Sequence, residues 1–221
     1  MVEFQSNGAR ARGYLATPES GEGPGVVVIQ EWWGLVPHIK DVADRFAAEG
    51  FVALAPDLYH GDVAKSPDEA GKMMIALNIS QTEKDLRGAV QYLLDAEETT
   101  GERVGTVGFC MGGALSLFAA SKNTQVGACV VFYGIHPKVE PDFDSLRAPV
   151  LGVFAGKDNF VTPDAVRALE ETMREHGKTI ETHTYPDSDH AFFNDTRPEV
   201  YDADASADAW RRTIEFLRAN L

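Results

Sequence analysis

Val104-Gly105-Thr106-Val107-Gly108-Phe109-Cys110-Met111-Gly112-Gly113 runs from an apolar segment straight into a glycine-flanked cysteine. Read as strand, sharp turn and helix, it is the pattern of a nucleophile elbow, with sulfur where serine is usual. Glycines two before and two after Cys110 let the chain reverse tightly and let the following helix approach closely. Such a turn lifts the side chain above the sheet edge, where a substrate carbonyl can meet it. A cysteine there points to acyl transfer by a thiolate. A free cysteine before a helix is equally compatible with a buried structural residue, and so short a motif does not separate the two readings.

Working outward, strands and helices alternate. Val2–Gln5 and Ala11–Ala16 flank Ser6-Asn7-Gly8, which has hairpin turn chemistry. Gly25–Gln30 is a continuous apolar run, as in a strand buried on both faces. Helical spacing follows from Pro37 to Glu49, closed by Gly50, and Phe51–Ala55 is the next strand. Beyond Tyr59 come a loop and a short helix from Pro67, then an amphipathic helix from Gln81 to Ala96. Strand Arg103–Phe109 enters the elbow and helix Met111–Ala120 leaves it. Strands at Gly127–Tyr133, Ala148–Phe154 and Thr179–Tyr185 alternate with helices at Pro163–His176 and Val200–Ala219. The alternation predicts an α/β domain spanning residues 1–221, with a mainly parallel sheet wrapped on both faces.

The 221 residues include 34 acidic and 20 basic side chains, a formal charge of −14. That balance argues against a nucleic-acid or anionic-membrane surface, either of which needs a basic patch. A small anionic substrate, needing one or two local cations, stays compatible with it. Two cysteines are too few for a disulfide framework, and Cys129 reads as a packed strand residue. No basic-then-apolar leader opens the sequence and no apolar stretch reaches membrane-span length. The expectation is therefore a cytoplasmic protein, acting as a monomer, in a reducing compartment that suits a free thiol.

Active sites of such sheets lie at the carboxyl ends of the strands. Four strand ends carry reactive groups: Gln30-Glu31-Trp32-Trp33-Gly34, Cys110, Ala155-Gly156-Lys157-Asp158, and Asp187-Ser188-Asp189-His190-Ala191-Phe192. Nucleophile, acid, histidine is the chain order of α/β-hydrolase triads. His190 is placed to contact the sulfur and later activate water, and Asp158 to fix its tautomer and stabilise the imidazolium. Asp187 and Asp189 compete for the acid role, but side chains so near His190 in sequence rarely face its ring; they read as turn residues. Backbone N–H groups of Met111 and Trp32 are the candidate oxyanion donors. Glu31 is a carboxylate one residue before such a donor, followed by two tryptophans. A desolvated Glu31 has a raised proton affinity and can take the thiol proton when substrate arrives; the competing account is a solvated loop residue. No metal-site spacing and no phosphate loop stand out, so no cofactor is expected.

Together Gln30-Glu31-Trp32-Trp33-Gly34, Ala55-Pro56-Asp57-Leu58-Tyr59, Gly108-Phe109-Cys110-Met111-Gly112-Gly113, Gly156-Lys157-Asp158 and His190-Ala191-Phe192 resemble the dienelactone hydrolases over nearly the whole chain. The resemblance implies a lidless α/β-hydrolase fold, a Cys110/Asp158/His190 triad, and Glu31 as the acceptor of the resting thiol's proton. It departs where substrate is chosen. Bacterial members of the family clamp a carboxylate with two arginines. One follows the catalytic histidine by four residues, where this chain has Asn194; the other lies beyond Asp-Leu-Tyr, where residues 59–80 offer only His60, Lys65 and Lys72. A lone lysine does not replace a bidentate clamp, and Arg197 is the local substitute. Trp32, Trp33, Tyr59, Tyr133, Ile135 and Phe192 are the expected pocket walls, with core packing as the competing account for each aromatic. His38, His176 and His183 read as helix-end or strand residues, and His60 and His136 as loop residues near the site.

The sequence thus predicts a hydrolase of a small lactone or ester, of the enol-lactone type, working through a thioester. A broader carboxylesterase or thioesterase with the same triad is the enzymatic rival. An α/β-hydrolase-like ligand-binding protein is the non-enzymatic one.

Overall fold

The computed structural model describes residues 1–6, 8–134 and 136–221. The turn residue Asn7 and the expected pocket residue Ile135 lie outside them. The strands are β1 (Val2–Ser6), β2 (Ala9–Ala16), β3 (Gly23–Ile29), β4 (Val52–Pro56), β5 (Thr99–Phe109), β6 (Val126–Phe132), β7 (Val150–Ala155) and β8 (Ile180–Tyr185). The helices are α1 (Pro37–Ala48), α2 (Pro67–Ala76), α3 (Ile79–Asp95), α4 (Met111–Lys122), α5 (Pro163–Glu175) and α6 (Ala203–Asn220). They agree with the sequence reading except at ends. Asn78 caps α3 by accepting from the Gln81 N–H, so that helix starts two residues early. Asp202 caps α6, so Val200 stays in the loop before it.

All eight strands form one sheet in the order β1-β2-β4-β3-β5-β6-β7-β8. From β4 to β8 the pairing is parallel; β2 runs antiparallel to both β1 and β4. This is the mainly parallel, doubly covered sheet of an α/β-hydrolase. Side chains alternate along β3: Val26 and Val28 pack with Phe46 of α1 and Ile214 of α6, while Val27 and Ile29 pack with Leu86 of α3 and Leu115 of α4. Those four β3 side chains are wholly buried, each worth roughly 1.5–3 kcal/mol of transfer free energy. Helix α4 is buried on nearly every side, which is why its sequence is apolar all round instead of amphipathic. No helix among the described residues is long and apolar enough to cross a membrane.

Candidate active site

The elbow is built by glycines that nothing larger can replace. A Cβ on Gly108 would lie 1.8 Å from the Gly112 carbonyl oxygen, and one on Gly113 would lie 2.6 Å from that of Phe132. A Cβ on Gly112 would meet the Ile29 and Gln30 carbonyls at 2.3 and 2.5 Å. So α4 begins in backbone contact with β5, β6 and the end of β3. Between them Cys110 is held at φ 53°, ψ −120°, a conformation costing of order 1–3 kcal/mol that persists only when its surroundings over-determine it. Its N–H donates to Phe132 O at 3.0 Å and its carbonyl accepts from Gly113 N at 2.9 Å, fixing the turn from both sides. Met111 is the first residue of α4, where a backbone N–H has no intrahelical acceptor. Closeness of α4 to Ile29 and Gln30 brings the backbone entering Glu31 and Trp32 beside the same turn.

The ends of β7 and β8 deliver the other two groups. Gly156 allows close approach to Pro186, where a Cβ would sit 2.5 Å from its carbonyl oxygen. Gly156 N donates to Tyr185 O at 2.7 Å and Lys157 N to Ser188 O at 3.0 Å, tying the two loops together. Asp158, with no exposed side-chain surface, lies 2.6 Å through Oδ2 from His190 Nδ1. Its Oδ1 accepts from the N–H groups of Phe160 (2.7 Å) and Val161 (2.9 Å). Asp158, and not Asp187 or Asp189, therefore meets the imidazole; Asp187 is exposed and pairs with Lys157. The His190 ring is flanked by Tyr133 and Phe160, each 5.1 Å between centroids. Burial alone would lower the His190 pKa. The Asp158 hydrogen bond and the adjacent Cys110 sulfur outweigh burial and raise it to about 10.

Glu31 is 1% exposed. Desolvation raises its pKa, opposed by the charges of His38, His190 and Arg197 and by a hydrogen bond from Asn194. That bond, Asn194 Nδ2 to Glu31 Oε2, is 2.8 Å. The Asn194 Oδ1 accepts from Thr196 N and Oγ1, which orients the amide. The position singled out for lacking an arginine is thus occupied by a neutral donor to the buried carboxylate.

Cys110, His190 and Glu31 open onto one cavity of about 410 Å³. Trp32, Trp33, Phe160, Pro67 and Met74 give it apolar walls, and Lys157 and Arg197 also reach it. Trp32 and Trp33 meet edge to face at 5.4 Å. Arg197 lines the cavity with its guanidinium engaged by Glu199 at 2.9 Å. Three expected wall residues do not line it. Tyr133 and Phe192 are completely buried behind His190, because the apolar turn after β6 and the turn after His190 point into the core. Tyr59 is nearly buried and donates its hydroxyl to Met111 Sδ at 3.4 Å. Lys65 and Lys72 do not line the cavity either, and Lys72 pairs with Asp68. His60 lies 3.2 Å from Asp85, and His136 contacts the Met74 carbonyl at 3.1 Å. The sequence reading missed α2 as a wall and Phe160 as a ring against His190. The paired methionines Met73 and Met74, next to the loop from Tyr59, were the available signal for α2.

Comparison with known proteins gives a concordant picture. The dienelactone hydrolase family matches residues 11–221. Protein usf of Aquifex pyrophilus is 40% identical, covering 100% of this chain and 98% of its own. A relative from Aquifex aeolicus with the provisional name carboxymethylenebutenolidase is 36% identical with the same coverage. Among solved structures, a metagenomic dienelactone hydrolase-like promiscuous phosphotriesterase superposes with a TM-score of 0.89 at 25% identity, covering 99% of this chain and 96% of its own. Fold and site together define an α/β-hydrolase. The chain belongs to the dienelactone hydrolase family, and is a hydrolase of that family.

Proposed function

We propose that this protein hydrolyses a small lactone or ester through a thioester on Cys110, with His190 and Asp158 completing the triad. The observation that carries the proposal is the 2.6 Å contact between His190 and a fully buried Asp158, beside a cysteine held in a strained elbow. A merely structural cysteine would need neither the strain nor an imidazole held by a buried carboxylate beside it.

Substrate entry displaces Glu31 towards the sulfur; the S–H bond breaks and Glu31 gains the proton. The thiolate attacks the carbonyl, and the N–H groups of Met111 and Trp32 hold the developing oxyanion. The His190 imidazolium protonates the leaving oxygen. As neutral imidazole, oriented by Asp158, it then directs water onto the thioester and recovers its proton. A thiolate is itself a good leaving group, so enol lactones and aryl esters suit this site better than alkyl esters.

A broader esterase is the second reading, and one observation favours it. The donor facing Glu31 is the neutral Asn194 amide, and Arg197 is already engaged by Glu199. Neither offers a free bidentate clamp for a substrate carboxylate. Relative kcat/KM on enol lactones, neutral aryl esters and an aryl phosphotriester, each repeated with Cys110→Ala, separates the readings. The lactonase reading expects enol lactones to lead; a preference for neutral esters by orders of magnitude defeats it. Unchanged hydrolysis of every substrate by Cys110→Ala defeats thiol catalysis altogether.

A further inference from the structure

Helix α2 forms one wall of the cavity yet rests lightly on the core. Of its 10 residues only Ala70 is fully buried, and Gly71 in its middle weakens it further. The segment leading into it turns through His60 and Gly61, at φ 54° and 106°. Pro67 and Met74 line the cavity. Gly71 lies against Trp32, where a Cβ would sit 3.8 Å from Cζ3 of the indole. Whatever fixes the far end of α2 therefore fixes the Met74 wall relative to Cys110.

That end is held by the loop after β6. His136 Nε2 lies 3.1 Å from the Met74 carbonyl oxygen, and Lys138 N donates to His136 Nδ1 at 3.1 Å. A backbone N–H only donates and a carbonyl only accepts. The ring is therefore neutral, with its proton on Nε2, and both its nitrogens are engaged. Lys138 Nζ donates to the next carbonyl, that of Ile75. His136 is buried and otherwise meets an apolar cleft, to which α4 and α5 contribute Leu117 and Leu169. The charged side chains of α2, Asp68, Glu69 and Lys72, are all exposed. Lys138 is thus the one charged group acting on the ring among the described residues. Burial lowers the His136 pKa, opposed by the Met74 hydrogen bond and aided by the Lys138 charge. A protonated ring would turn a second N–H against the Lys138 N–H and lose that bond.

We propose that His136 is a positioning residue for substrate binding: it clips the end of α2 and so sets the Met74 wall and the size of ester that fits against it. The proposal rests on the ester-hydrolase reading of the cavity given above. His136 takes no part in the chemistry at Cys110 and acts on the substrate through Met74. Loss of the clip, by substitution or by proton uptake on His136, lets α2 swing and widens the site. Compact esters then bind less well, and longer ones are discriminated against less.

Two measurements on the full-length protein test this. Hydrogen exchange needs no substrate. His136→Leu should speed amide exchange across residues 67–76 by about fivefold or more, with α4 unaffected. In the wild type the same segment should loosen between about pH 7.5 and about pH 5, after correction for intrinsic exchange. In His136→Gln, whose amide still donates to Met74 but does not titrate, it should not. Kinetics at the higher pH read the consequence. KM for p-nitrophenyl acetate should rise about fivefold in His136→Leu with kcat little changed. The ratio of kcat/KM for p-nitrophenyl hexanoate over acetate should rise with it, and His136→Gln should restore both. Lys138→Met, a surface change, should shift exchange and KM in the same direction, and carries the test should His136→Leu fold poorly. Unchanged α2 exchange in both variants overturns the clip. So does a fall in kcat with KM unmoved, which is the mark of damage at the triad. Retained activity in Cys110→Ala would instead sink the thiol mechanism and leave the exchange result standing, so the two failures are told apart.

Discussion

At the residue scale, chemistry is concentrated in side chains whose surroundings oppose their ordinary states. Asp158 keeps its orientation through two backbone donors, so an isosteric amide there should preserve the fold while disturbing the His190 tautomer. Asp158→Asn is expected to lower kcat by roughly 10³–10⁴ with circular dichroism unchanged; a loss under about tenfold would remove Asp158 from the triad. Glu31 makes the opposite kind of prediction. Its proton affinity is raised by burial, so its favourable contribution is present below the unfolded-state pKa and lost as pH rises through the folded one. Glu31→Gln removes that loss and should stabilise the protein at pH 8 by about 1 kcal/mol or more, an advantage that vanishes near pH 4. Urea titrations at the two pH values check it; a destabilised variant at pH 8 contradicts it. The candidate positions Cys110, Asp158 and His190 were legible in the chain because strand-end residues of suitable type stood in hydrolase order. Asn194 and Phe160 were not, because their roles come from contacts between segments distant in sequence. For the same reason Tyr133 and Phe192 read as walls when they are core.

At the element scale, the sheet works as a jig. β3, β5, β7 and β8 each end at one rim, and α4 sits tightly enough on β5 to force the elbow. Gly108→Ala would drive a methyl group into the Gly112 carbonyl, a backbone clash that side-chain rotation cannot relieve. We expect a loss of about 3 kcal/mol or more, read as a Tm drop of roughly 6–12 °C. A Tm within 2 °C or so of wild type would show that α4 is free to shift and that the elbow is not over-determined. Strand and helix periodicity made most of these elements readable from sequence. The antiparallel β1–β2 pair was legible from its hairpin turn, but the sheet order and the antiparallel pairing of β2 with β4 were not, because partners distant in sequence leave no local signature. Helix α2 was seen as a short helix without a place. Only the structure sets Pro67 and Met74 across the cavity from Cys110.

At the scale of the whole molecule, the site couples stability to pH. The His190 pKa is raised to about 10, so its contribution is fully present below about pH 6.5 and is lost as pH rises towards 10. Tm should fall between pH 7 and 10 more steeply in the wild type than in His190→Ala, with the two curves converging at the alkaline end. Parallel curves would show that the Asp158–His190–Cys110 cluster does not hold the extra proton. The acidic net charge of −14 was readable at once and argues against a nucleic-acid or anionic-membrane surface. It says nothing of which small molecule, since that is decided by a few side chains around one cavity.

The most direct test of thiol catalysis is to trap the acyl-enzyme. His190→Ala, incubated with p-nitrophenyl acetate and examined by intact-protein and peptide mass spectrometry, should accumulate a single acetyl group on Cys110, because acylation by the activated ester outpaces deacylation without its base. An acetyl group on any other residue, or wild-type turnover by Cys110→Ala, would contradict the account.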